Sequence, residues 1–138
     1  MNNRERLKLQ RMVAIWSDGH GLAQATALAE KHRHLLPKRI TNAQLSGLNG
    51  LVQAGSSLTQ VMGFAQHQGG RAARAGRVDV KGYWDDLREA LGRLEGEADR
   101  LLTQAGVPVE GLPSKLTLWL AQEFVQHLVA HSLYLGVV

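Results

Sequence analysis

The sequence predicts an all-α fold, and three observations carry the prediction. No segment sustains the alternation of apolar and polar residues that marks a strand with one buried face. Apolar residues instead recur three and four apart, most regularly in Trp84, Leu87, Leu91, Leu94, Ala98 and Leu101, the spacing that lines one face of a helix. Thr41-Asn42-Ala43-Gln44 has the form of a capping box, in which a hydroxyl and an amide three residues on satisfy each other's exposed backbone donors.

The elements follow in order. Leu7, Met12, Val13 and Trp16 begin an amphipathic helix that is expected to stop at Ser17-Asp18-Gly19-His20-Gly21. A second helix presents Leu22, Ala25, Leu28, Ala29 and His32 before Pro37 interrupts it. Thr41 then opens a helix carrying Leu45, Leu48, Leu51 and Val52, and the pattern resumes with Leu58, Val61, Met62 and Ala65. Gly47, Gly50, Gly55 and Gly63 weaken one long helix, each by about 1 kcal/mol relative to alanine. Two helices broken near Gly55-Ser56-Ser57, or one sharply bent helix, are expected. The stretch GGRAARAGRVDVKG reads as the one long loop, at about 69–82, and long loops in compact domains are usually functional or disordered. The helix through Trp84 and Leu101 follows, its outer face carrying Asp85, Asp86, Glu89, Glu95, Glu97 and Asp99, and Gly106-Val107-Pro108 ends it. Ser114 is expected to cap a last helix with the stripe Trp119, Leu120, Phe124, Leu128 and Leu135. Residues 1–138 therefore read as a single helical domain, a compact bundle of five to six helices.

Composition narrows the chemistry. The 138 residues contain no cysteine, which removes disulfides, thiolate metal sites and thiol nucleophiles. The start MNNRERLKLQRMV is charged and has no apolar core of a leader, so secretion is not expected. The apolar stretch Leu116–Val138 is interrupted by Gln122, Glu123, Gln126, His127 and His131, a polar content unsuited to a membrane span. A cytoplasmic protein with no membrane partner is expected. The net charge of +4 hides an asymmetry. Residues 1–81 hold 12 Lys+Arg against 4 Asp+Glu, and residues 82–138 hold 4 against 8. A basic side and an acidic side follow, the first suited to a polyanion and the second permitting copies to stack head to tail.

Catalytic signatures are scarce. Gly19-His20-Gly21 lacks the third glycine and preceding strand of a dinucleotide fingerprint, and the glycine-arginine stretch lacks the Lys-Ser/Thr ending of a P-loop. Glu123, His127 and His131 stand four apart on one helical face and are the best metal candidate. An open three-ligand site is one reading. An ordinary half-buried polar stripe beside Phe124 and Leu128 is the favoured one, so neither metal nor cofactor is expected. His32 and His34 point to different sides and read as part of the basic surface. Trp16, Trp84 and Trp119 sit on apolar stripes and read as core rather than as base-stacking platforms, and Gln44 is accounted for by capping.

The arginines carry the functional reading. Arg71, Arg74 and Arg77 recur every third residue, with Lys81 beyond, and Lys38 and Arg39 form a second cluster near Lys31 and Arg33. The guanidinium fork suits phosphate oxygens bidentately. The intervening Ala72, Ala73 and Ala75 would put the arginines along one side were the segment helical. A solvated charged loop, a grip for an acidic partner and a grip for a phosphate backbone all fit this pattern. A backbone grip would weaken steeply with salt and would not read bases.

The run KRITNAQLSGL at 38–48 resembles the leucine/isoleucine-threonine-x-x-glutamine-leucine/isoleucine-arginine signature of the small helical subunit of type III CRISPR–Cas effector complexes. The resemblance extends over roughly residues 25–105, through Gln68 and Arg71 to the charged helix with Trp84. Ser46 stands where that pattern has arginine, so its contact would fall to Lys38 or Arg39. The resemblance implies a non-catalytic subunit of an antiviral ribonucleoprotein, holding guide and target RNA by their backbones and lying against neighbouring subunits or further copies of itself. The expected RNA-binding residues are Arg33, Lys38, Arg39, Arg71, Arg74, Arg77 and Lys81. Two other readings stay open: a helical adaptor docking an acidic protein through its arginines, and a metal-dependent hydrolase built on Glu123, His127 and His131.

Overall fold

The computed structural model describes residues 2–107 and 112–138, which form an all-α bundle without strands. Helix α1 (Asn3–Trp16) passes through a π-turn (Ser17–Gly21) into α2 (Leu22–Lys31), and a short 3-10 turn (Arg33–Leu35) follows. Then come α3 (Asn42–Gln53), α4 (Leu58–Arg74), α5 (Val78–Gly92), α6 (Leu94–Ala105) and α7 (Leu112–Val137). Only Arg93 separates α5 from α6, so the described residues make five rods.

Helix α7 is apolar nearly all round, and a helix of that kind belongs inside. It buries Leu116, Leu120, Phe124, Val125, Leu128 and Leu135 against α2, α3 and α6. Helices α4 and α5 pack along each other as an antiparallel hairpin. At their crossing a Cβ on Gly69 would lie 3.5 Å from the Trp84 Cβ, so the two backbones approach closely there. Trp84 is fully buried, with Phe64 and Tyr83 edge-on to it at ring-centroid distances of 6.0 and 5.1 Å.

The capping box at Thr41 forms as expected, with the Gln44 N–H donating to Thr41 Oγ1 and the Thr41 N–H to Gln44 Oε1. The chain breaks after α3 at Gly55, whose φ of +82° suits glycine. A second capping box, Ser57 with Gln60, opens α4.

Several expectations are corrected. The first helix does not stop at Ser17–Gly21: the π-turn carries it through, because side chains on neighbouring helices hold the widened turn. Ser17 Oγ donates to Glu123 Oε2 at 3.1 Å and lies 2.8 Å from His127 Nε2. The Trp16 indole N–H donates to Glu97 at 2.6 Å, and His20 meets the same carboxylate at 2.6 Å. The basic stretch 69–82 is not a loop, since α4 continues to Arg74 and α5 resumes at Val78. Ser114 lies inside the first turn of α7 rather than capping it. His32 is buried, 2.7 Å from Asp86 and edge-on to Tyr83, so it belongs to the core and not to the basic surface. Pro108, read as part of the stop after α6, lies outside the described residues. Among those residues no helix is long and apolar enough to cross a membrane.

The division into a basic and an acidic side is partly cancelled internally. Asp86 and Glu97, expected on an outer face, turn inward to Lys31, His32, Trp16 and His20. Burial pushes the Asp86 carboxyl up, but its hydrogen bonds from Lys31 and His32 outweigh that and hold it below the ordinary aspartate value of 3.8. A group lowered in this way adds stability that is complete above its unfolded value and disappears as pH falls through the folded one. The fold is therefore expected to weaken on acidification below about pH 4, with Asp86→Asn removing part of that dependence. Urea midpoints at a series of acid pH values measure it, and an acid profile unchanged in the variant would clear Asp86 of the role.

Candidate nucleic-acid interface

The two cationic segments of the sequence meet at the tip of the α4–α5 hairpin. Helix α4 ends in a Schellman turn: the Arg77 N–H donates to the Ala72 carbonyl at 2.8 Å and the Gly76 N–H to that of Ala73 at 3.1 Å. Gly76 supplies the left-handed residue this turn needs, at φ +73°. The reversal takes three residues, so Arg77 comes back beside the last turns of α4 instead of trailing away in a loop.

Arg39, Arg71 and Arg77 line one cavity of about 280 Å³, together with Gln44 and Gln68. Its apolar wall is Ala72, Ala75 and Val80. Arg39 arrives from the segment before α3, tied down where its N–H donates to the Leu35 carbonyl at 2.9 Å. Gln44 does two jobs. Its Oε1 accepts the Thr41 N–H that caps α3, and its Nε2 donates to Gln68 Oε1 at 3.0 Å on α4. Capping alone accounts for the first bond and not for the second, which fixes the start of α3 against α4 and brings Arg39 toward Arg71.

One carboxylate belongs to this cluster. Asp79 pairs with Arg39, and its Oδ1 accepts the Val80 N–H at 2.9 Å. That backbone bond and the Arg39 guanidinium hold the Asp79 carboxyl below its ordinary value, against the effect of burial. Among the described residues no carboxylate lies within ion-pair distance of Arg71 or Arg77.

The remaining expected residues divide. Lys38 is exposed next to Arg39. Arg74 is exposed but leans back along α4, its guanidinium beside Gly70, and does not line the cavity. Arg33 pairs with Glu30 at 3.5 Å. Lys81 pairs with Asp85 along the same helix, on the side of α5 that faces Gly69. Neither of these two is brought into the cavity.

Glu123, His127 and His131 do not converge on a common point. The first two meet Ser17, and His131 lies 3.2 Å from Glu30 on α2. Among the described residues no group of three or more His, Asp or Glu side chains is placed to hold a metal ion. Trp16 and Trp84 are buried and Trp119 is half-buried, as core residues.

Sequence reasoning missed Gln68 as the partner of Gln44. The signal present was spacing: Gln68 precedes Arg71 by three residues and so shares its face of α4. No family model, no curated protein and no solved structure matches this chain.

Proposed function

We propose that the chain is a non-catalytic RNA-binding subunit of a type III CRISPR–Cas ribonucleoprotein, holding guide and target RNA by the sugar-phosphate backbone. One observation supports this reading above the others: Arg39, Arg71 and Arg77, from segments far apart in sequence, line a single cavity with Gln44 and Gln68. Guanidinium groups in this arrangement match phosphate oxygens in charge and in hydrogen-bond geometry. The Gln44–Gln68 bond also joins the two parts of the sequence in which the family resemblance was found. Partner subunits or further copies would lie against surfaces away from this cavity.

Binding to short single- and double-stranded RNAs of several sequences, followed as salt is raised, tests the proposal. Affinity should vary little among sequences. Its logarithm should fall linearly with the logarithm of salt, with a slope near −0.7 per phosphate neutralised on a single strand. A strong sequence preference, or affinity indifferent to salt, contradicts it. An acidic protein that displaces RNA and stays bound at raised salt, where RNA is released, would favour the adaptor reading instead.

A further inference from the structure

We infer that the Arg39–Arg71–Arg77 cavity, where the backbone is gripped, receives one phosphomonoester group, the terminal phosphate of an RNA strand, in preference to an internal phosphate. The inference rests on the polyanion reading above and narrows it to a ligand class. A surface that tracks an extended strand needs cations spread along a path. Here three converge, and Lys38, exposed beside Arg39, adds a short extension and not a path. Arg33 and Lys81, the cations that would extend the path, are paired with Glu30 and Asp85, and Arg74 lies back over Gly70.

Charge points the same way. Three guanidinium groups and the Asp79 carboxylate leave a net charge of two positive units at the cavity. An internal phosphodiester carries a single negative charge, whereas a phosphomonoester carries about −1.5 to −2 at neutral pH. The cavity also has limited room. At about 280 Å³ it lies just under the usual range of ligand clefts, about 300–1,000 Å³, and matches a single small group.

The walls fit a phosphate better than a base. Ala72, Ala75 and Val80 are small and aliphatic, and no aromatic ring lines the cavity, so there is no platform of the kind on which bases stack. Gln44 and Gln68 line the cavity beside the arginines and bring neutral amide groups to it.

The test uses one short RNA sequence in three forms: 5′-phosphorylated, 3′-phosphorylated, and with hydroxyls at both ends. Inorganic phosphate and a phosphoserine peptide serve as competitors, and each is measured against the wild-type chain and Arg71→Gln. One phosphorylated form should bind about tenfold or more tighter than the hydroxyl form, the effect of one charge-assisted hydrogen-bond set. Which form does so identifies the end recognised. Arg71→Gln should remove that difference, with helicity by circular dichroism unchanged because Arg71 is exposed. Inorganic phosphate should compete with the preferred strand.

Equal binding of all three RNAs overturns the inference. If all three also lose affinity together in Arg71→Gln, the backbone reading survives without it. A terminal-phosphate preference that persists in Arg71→Gln overturns the placement. Tighter binding of the phosphoserine peptide than of any RNA overturns it in favour of a protein ligand. Failure of every RNA to bind overturns the underlying polyanion reading as well.

Discussion

Replacing Arg71 and Arg77 together by glutamate is expected to lower RNA affinity about a hundredfold or more, since charge-assisted hydrogen bonds contribute about 1.5–3 kcal/mol each and every 1.4 kcal/mol is about tenfold. The two side chains reach the same cavity, Arg71 from α4 and Arg77 from the turn just before α5, so reversing both leaves Arg39, already paired with Asp79, as the one guanidinium there. Both residues are exposed, and surface changes of this kind usually move stability by less than about 0.5 kcal/mol. Loss of binding should therefore come without loss of helicity. A control with the same formal charge change, Arg93→Glu with Arg100→Glu, separates site from net charge. Those arginines stand by Glu89 and Glu97 and do not line the cavity, so the control should weaken binding far less. Fluorescence anisotropy with a labelled RNA reads both, and equal losses in the two double variants would mean that long-range charge and not this cavity holds the RNA.

Trp84→Ala is expected to cost about 3–5 kcal/mol, a large part of the roughly 5–15 kcal/mol that holds a domain of this kind together. Trp84 is wholly buried. It fills the crossing where α4 comes within contact of α5 at Gly69, and Phe64 and Tyr83 meet its ring edge-on. Removing the indole leaves a cavity that the rigid close approach at Gly69 cannot collapse to fill. Trp84→Phe should retain much of the stability, because the indole Nε1 has no hydrogen-bond partner among the described residues and little polar bonding is lost. Urea unfolding compares the three proteins. A Trp84→Ala midpoint equal to the wild type's would remove this residue from the centre of the hairpin. The same substitution should also loosen RNA binding through misplacement of Arg71 against Arg77, although neither arginine is altered.

Those two residue sets show what the sequence made legible. The apolar spacing from Trp84 to Leu101 gave the buried face of α5 and α6, and Thr41–Gln44 gave the start of α3, because both signals are local. Gly69 and Gly76 show where local reading ends. Gly69 and Gly70 read as the opening of a loop, yet Gly69 is a packing residue inside α4, where it faces Trp84 on α5. Gly76 is the glycine that stops the helix, by its positive φ. Only the partner helix distinguishes these two uses of the same residue type. The π-turn is a similar case: Ser17–Gly21 has the composition of a stop, and contacts from Glu97, Glu123 and His127 keep it helical.

At the site, the residue types were legible and their grouping was not. Arginine at every third position marked 71–77, and Lys38-Arg39 marked a second cluster. Which of seven cations would share a cavity depended on the Gln44–Gln68 bond, the Schellman turn, and the carboxylates that claim Arg33, Lys81 and Arg39. The Schellman turn and the pairs Arg33–Glu30 and Lys81–Asp85 are local, but Gln44–Gln68 and Arg39–Asp79 join residues far apart in sequence, and their separate signals, a cap, a helix face and a solvated charge, gave no hint of a partner.

The most direct measurement is chemical-shift mapping of the isotopically labelled protein titrated with a short RNA. Perturbed amides and side chains should cluster at Arg39, Gln44, Gln68, Arg71 and Arg77, with α1 and the outer face of α6 quiet. Perturbations gathered on α1 or around Glu123 and His127, with the α4–α5 tip unmoved, would contradict the claim that this cavity is where the polyanion is held.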